Sequence, residues 1–218
     1  NGAFPFGNRL FGCWRKGGHG VVNLHKAIVQ SCDVYFYNVG LRLGVDRLAR
    51  YAQYFGLGQP TGVALTSEKG GLIPTSFWKL SRYKTPWHPG ETLSLAIGQG
   101  YNLVTPLQMA VLTAALANGG KIYRPYLVKK LISPQGNTLR DFSPQPIRSL
   151  SVKPEYLQLI RKAMAGVVNE PGGTGQACRL GGVVVAGKTG TAQVVSLGKR
   201  GGRDHAWFVA FAPLEDPQ

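Results

Sequence analysis

Val183-Val184-Val185-Ala186-Gly187-Lys188-Thr189-Gly190-Thr191-Ala192-Gln193 is the stretch that decides how this chain is read. An apolar, β-branched run enters Lys188-Thr189-Gly190-Thr191, and a second apolar alternation leaves it. The pattern predicts a strand over residues 183–195 that carries a cation, hydroxyls and close-approach glycines on one edge. Lys188 offers positive charge to an anionic group, and Thr189 and Thr191 can donate hydrogen bonds to it. Gly190 leaves room for an approaching substrate backbone. Such an edge can receive a peptide and hold its carboxylate. Taken alone, the same residues also fit a plain strand with a turn-like glycine.

Outward from this strand, residues 197–203 form a Gly/Lys/Arg turn and residues 206–212 its hairpin partner, with His205 and Trp207 on that side. An amphipathic helix is predicted over 154–168, through Leu157, Ile160, Ala163, Met164 and Val167. Thr105-Pro106 opens another over 107–118, closed by Gly119-Gly120. Asn23 caps a short helix over 24–30. Residues 34–44 predict a buried helix capped by Ser31 or Asp33. Residues 46–55 predict a third, stopped by Gly56 and Gly58. Residues 1–20 lack a clean period and read as loop. Residues 61–100, with Pro74, Pro86 and Pro89, read as a long ordered loop. Residues 121–133 read as one strand, followed by a turn at 134–136 and linker-like surface around Pro144 and Pro146. Helices followed by a hairpin imply an α/β fold with helices packed on an antiparallel sheet.

The chain has 218 residues, 44% hydrophobic and 16% charged, so it is globular and not disordered. Its net charge of +15 is spread without a dense basic run. That favours a solvated basic surface or weak steering over nucleic-acid binding, and no nucleic-acid signature is present. The longest nearly apolar run, residues 109–117, is far shorter than the roughly 20 residues a membrane span needs. The chain begins without Met, and it is expected to be a piece of a longer protein.

Two further groups carry chemistry. Ser31-Cys32-Asp33 lies between two helical segments, where a serine can relay a proton beside a polar neighbour or simply cap a helix. Cys13, His19 and Cys32 stand as C-x5-H-x12-C. Two thiolates and an imidazole are good zinc ligands. A Cys13–Cys32 disulfide, or Cys32 as a small buried hydrophobe, are the competing readings.

Together, Ser31-Cys32-Asp33 and Lys188-Thr189-Gly190 resemble two parts of the S-x-x-K, S-x-N, K-T-G set of the penicillin-binding proteins and serine β-lactamases. Gly18-His19-Gly20, Phe55-Gly56-Leu57-Gly58, Thr61-Gly62, Ile97-Gly98-Gln99-Gly100, Pro106-Leu107-Gln108, Ala117-Asn118-Gly119-Gly120 and His205-Ala206-Trp207-Phe208 follow in family order. Asp33 in place of Asn resembles the elongation-type class B subgroup. The resemblance implies a β-lactamase/transpeptidase-like fold, incomplete at both ends, with residues 1–218 as a partial transpeptidase domain.

It also implies a serine-type D,D-transpeptidase that cross-links peptidoglycan stem peptides and is acylated by β-lactams. In that scheme Ser31 shuttles protons, Lys188 tunes it, and Lys188, Thr189 and Thr191 bind a carboxylate. Thr191 N–H is then one oxyanion donor. An ionised Asp33 cannot donate to a substrate carbonyl as an Asn amide does, so it is expected to hold Ser31 or a lysine instead. Relatives place zinc ligands where His19 and Cys32 stand, and an acidic ligand where Cys13 stands. Implied partners are a membrane glycan polymerase and other elongation proteins, at the periplasmic face of the inner membrane.

Three S-x-x-K strings occur, at Ser76/Lys79, Ser81/Lys84 and Ser196/Lys199. None is expected to open a buried apolar helix, so the nucleophile is expected upstream of residue 1, and the chain alone is expected to resist acylation. A β-lactamase or β-lactam sensor, and a non-catalytic peptidoglycan-binding scaffold, are the alternatives.

Overall fold

A computed structural model describes residues 2–193 and 204–217. In chain order the elements are β1 (Ala3–Phe6), β2 (Arg9–Gly12), α1 (Leu24–Val29), α2 (Asp33–Leu43), α3 (Val45–Tyr54), α4 (Ser76–Tyr83), α5 (Pro89–Ala96) and α6 (Pro106–Ala117). Then come β3 (Lys121–Arg124), β4 (Lys130–Ile132), β5 (Thr138–Asp141), β6 (Gln145–Ser149), α7 (Pro154–Asn169), a 3-10 turn (Gln176–Cys178), β7 (Ala186–Ala192) and β8 (His205–Phe211).

Helix α7 has the apolar spacing of a helix buried along one face, and it packs on both β7 and α1. Met164 and Ala165 meet Ala186 of β7, Phe211 of β8 and Ala117 of α6, while Ala163 and Val167 meet Ile28 of α1. Fully burying Val167 and Val168 stabilises the fold by about 1.5–3 kcal/mol each. Gly166 permits the close α1–α7 approach, because a Cβ there would stand 2.7 Å from Cγ2 of Val29. The result is helices laid against an antiparallel hairpin. In that hairpin Lys188 faces Val209 and Thr191 faces Ala206.

Helix α6 starts with a reciprocal cap. Thr105 Oγ1 accepts the Gln108 N–H at 3.1 Å, and Gln108 Oε1 accepts the Thr105 N–H at 3.0 Å. The buried Gln108 amide then donates to the carbonyls of Gln59 and Gly70, at 2.6 and 2.7 Å, and so fastens the long middle segment to α6. Asn23 caps α1 by accepting the Lys26 N–H at 2.9 Å.

Several expectations need correction. Residues 3–12 form a hairpin, not loop, turning at Gly7-Asn8 with Gly7 at φ 58°. The middle segment contains α4 and α5. Pro89 sits in the first turn of α5, where proline suits a helix start, and Thr75 Oγ1 caps α4 through the Trp78 N–H. Residues 121–133 split into β3 and β4, and Pro146 lies within β6, paired with β3 at a bulge. Helix α2 has Cys32 at its N-cap with no side-chain cap from Ser31 or Asp33, and only Tyr37 and Gly40 of it are buried. Strand β7 begins at Ala186, three residues later than expected. The turn expected at 197–203 lies outside the described residues.

Candidate active site

Ser31 sits between α1 and α2 with φ 52°, a left-handed conformation unusual for a residue with a side chain. Three contacts hold it there. The Trp14 indole N–H donates to the carbonyls of Gln30 and Ser31, at 3.0 and 2.9 Å, and the Trp14 backbone N–H donates to Asp33 Oδ2 at 3.0 Å. Asp33 thus occupies the first turn of α2, where a carboxylate suits the helix dipole, and anchors Trp14. Among the described bonds Asp33 reaches the Ser31 junction through Trp14 and not through Ser31 Oγ itself.

The α1–α7 packing brings β7 alongside this junction. Lys188 Nζ donates to Ser31 Oγ at 2.9 Å and to the Thr189 carbonyl at 2.8 Å. Burial lowers the Lys188 pKa from its ordinary value, against the opposing pull of the Asp33 charge. An ammonium so placed is a better proton donor than a solvated lysine.

Thr189 Oγ1 lies 2.7 Å from Thr174 Oγ1, and the Thr174 N–H donates to the Val29 carbonyl at 3.3 Å. Thr174 therefore ties the end of α1 to the middle of β7, a role that no local pattern announced. Gly190 faces Trp207; a Cβ there would stand 3.4 Å from the tryptophan Cβ. Thr191 is exposed. In an antiparallel pair alternate residues turn their backbone groups away from the partner. The outward set here is Thr189, Thr191 and Gln193, since the Thr189 carbonyl takes Lys188 and the other two take side-chain atoms of Gln99. Among the described residues no strand pairs with that edge, and at Thr191 and Gln193 the Gln99 carboxamide covers it.

Cys13, His19 and Cys32 are all buried, and their ligand atoms lie within 4.8 Å of one another. Cys13 Sγ is 3.5 Å from His19 Nδ1, and His19 Nε2 is buried without a partner among the described residues. Both cysteines are free, so no disulfide joins them. Burial leads in raising the Cys32 pKa and in lowering that of His19, so both groups are pushed toward neutrality. With Val22 and Tyr35 they line a cavity of about 290 Å³. The Trp14 ring lies tilted against His19, centroids 5.5 Å apart, and so joins this cluster to Ser31.

The remaining candidates disperse. Ser76 opens α4, a largely exposed helix and not a buried apolar one, and its Oγ donates to Asp46 Oδ2 at 2.7 Å. Lys79 is buried and bonds Glu91 Oε1 at 2.6 Å, beside Trp87. Lys84 Nζ donates to the Ser81 carbonyl at 2.9 Å and not to its hydroxyl, and Ser196 and Lys199 lie outside the described residues. No S-x-x-K string among the described residues forms a serine–lysine pair. His25 bonds Glu170 at 2.9 Å, as suits a structural histidine.

The same fold and family occur among known proteins. The penicillin binding protein transpeptidase domain family matches residues 3–218. Peptidoglycan D,D-transpeptidase MrdA of Haemophilus influenzae is 40% identical over 228 residues, covering 98% of this chain. The chain spans about a third of that relative's length, 34%. Among solved structures, a penicillin-binding protein (PBP2) of Helicobacter pylori superposes with TM-score 0.83 at 38% identity, over 100% of this chain and 38% of that one. Pseudomonas aeruginosa PBP2, solved with WCK 5153, gives 0.82 at 38% identity, over 100% of this chain and 46% of its own. On residues, fold and likeness together, the chain belongs to the penicillin-binding protein transpeptidase domain family.

Proposed function

We propose that this chain is part of a D,D-transpeptidase that cross-links peptidoglycan stem peptides through a serine acyl-enzyme. The observation that carries the reading is the 2.9 Å contact from Lys188 Nζ to Ser31 Oγ, set beside the strand-free edge of β7 at Thr189 and Thr191. The family order S-x-x-K, S-x-N, K-T-G puts the nucleophilic serine upstream of Ser31, where this sequence holds no serine, so it is assigned to the longer protein. Its Oγ attacks the penultimate D-Ala carbonyl, the bond to the terminal D-Ala nitrogen breaks, and an amine of a second strand then displaces the serine from the ester.

Ser31 serves the leaving nitrogen. Lys188 donates to Ser31 Oγ, which leaves the serine hydroxyl proton free to pass to that nitrogen while Lys188 replaces it. The Lys188 charge and the Thr189 and Thr191 hydroxyls bind the terminal carboxylate, or the acid of a β-lactam. Thr191 N–H, on the outward edge, donates to the developing oxyanion. In the full-length protein, D-Ala release from a pentapeptide donor should fall by about 100-fold in Ser31→Ala; unchanged release sinks the relay. Steady turnover of penicillin, in place of stable acylation, would turn the reading toward a β-lactamase.

Cys13, His19 and Cys32 fit a zinc ion: a buried soft donor set, an unpartnered imidazole nitrogen and ligand atoms close enough for one small cation. Zinc there would be structural, holding two cysteines as thiolates and fixing the chain around Trp14 against the Ser31 junction. Elemental analysis of the full-length protein, purified without added metal, should give about one zinc per chain, lost in Cys32→Ser. Absence of zinc from the wild-type protein sinks this assignment.

Two solved relatives support a reading of the partners. One H. pylori PBP2 structure is a complex with MreC, and another neighbour belongs to a peptidoglycan synthase complex. The same company, a membrane glycan polymerase and elongation proteins, is proposed here, at the periplasmic face of the inner membrane. No helix among the described residues is long and apolar enough to cross a membrane, so anchoring is assigned to sequence outside them.

A further inference from the structure

Gln99 occupies the edge of β7 that a peptide needs. Its Nε2 donates to the Thr191 carbonyl at 2.6 Å, and its Oε1 accepts the Gln193 N–H at 3.3 Å. Only this orientation of the carboxamide satisfies both groups. One side chain thus makes the two bonds a neighbouring strand would make. The loop that presents it is shaped by Gly98 and Gly100, at φ 79° and 74°, and the Gln99 backbone N–H is fixed to the Ser94 carbonyl at 2.9 Å. Release therefore needs only rotation of the side chain.

Strand geometry identifies what is being blocked. In an antiparallel pair a residue opposite Thr191 both donates its N–H to the Thr191 carbonyl and accepts the Thr191 N–H. If that accepted oxygen is the attacked carbonyl, the donated N–H is the amide of the same penultimate residue. Gln99 Nε2 stands where that amide N–H must go.

We propose that Gln99 is a gate on the peptide-docking edge, a stand-in for the substrate amide that is displaced as the peptide pairs with β7. The proposal rests on the transpeptidase reading above. It makes Gln99 a specificity-determining residue: ligands that bring an amide N–H to the Thr191 carbonyl must displace the Gln99 carboxamide and take over its hydrogen bond, and ligands without one leave it in place.

The test uses the full-length protein and two β-lactams: benzylpenicillin, whose acylamino side chain carries such an N–H, and imipenem, which has a hydroxyethyl group in its place. Gln99→Ala empties the edge, and Gln99→Glu keeps the shape but has no N–H for the Thr191 carbonyl. Both variants should raise the second-order acylation constant of benzylpenicillin by about threefold to tenfold, the size of one displaced hydrogen bond, and that of imipenem by under about twofold. The pair of variants guards against misfolding of either one. Equal changes for both ligands, or slower benzylpenicillin acylation, overturn the gate while the acyl-enzyme reading stands. A wild-type protein acylated by neither ligand overturns that reading, and the gate with it.

Discussion

The Trp14 indole N–H lies 2.9 Å from the Ser31 carbonyl, and through it the chain carrying Cys13 and His19 is fastened to the residue that meets Lys188. Ser31 holds a left-handed backbone, so it depends on such external contacts to stay in place. Trp14→Phe keeps an aromatic ring against His19 but removes the indole donor. In the full-length protein it should slow penicillin acylation by about tenfold with little change in thermal unfolding. An unchanged rate would show that Ser31 is positioned without Trp14.

The Lys79–Glu91 pair is structural, and its energetics are lopsided. The Lys79 side chain is 5% exposed and that of Glu91 26%. Glu91→Gln strands a buried ammonium and should cost about 3 kcal/mol in denaturant unfolding. Lys79→Met leaves a carboxylate that water can reach and should cost clearly less. The opposite order would mean that Glu91, not Lys79, bears the burial.

Glu68 should make stability depend on acid. It accepts the Thr61 hydroxyl at 2.6 Å and the N–H groups of Thr61 and Gly62 at 2.8 and 3.0 Å. The Thr61 hydroxyl leads in holding its carboxyl below the ordinary 4.5. A folded pKa below the unfolded one means the stabilisation is full above the unfolded value and is lost as pH falls through the folded one. Being near the surface, the group is discounted for screening to about 1 kcal/mol. Glu68→Gln should therefore be destabilised relative to wild type at pH 7 and equal to it near pH 2. A difference that persists in acid contradicts the assignment.

What the sequence disclosed depended on the range of the interaction. α6, α7 and the β7–β8 hairpin carry their periods and caps in consecutive residues, so Thr105-Pro106 and the Leu157-to-Val167 spacing placed them within a few positions. The β1–β2 hairpin has arms of four residues with Pro5 in one, too short for alternation to show. Prolines that suggested an irregular segment instead mark helix starts, as Pro89 does. Ser31 by itself reads as a helix cap and was legible, with Lys188, through the family resemblance, while Cys13, His19 and Cys32 were legible from their ligand chemistry. Trp14, Thr174 and Gln99 were not. Each acts on a distant backbone or hydroxyl group, Gln99 across 92 positions, and nothing nearby in sequence marks such a contact.

The most direct test of the account is to label the full-length protein with a fluorescent penicillin and map the labelled residue by mass spectrometry, in wild type and in Ser31→Ala. The account predicts a stable adduct on a serine outside these 218 residues, formed about 100-fold more slowly in the variant. An adduct on Ser31 itself, or on Ser76, Ser81 or Ser196, would contradict it, and Ser31 with Lys188 would then be the nucleophilic pair.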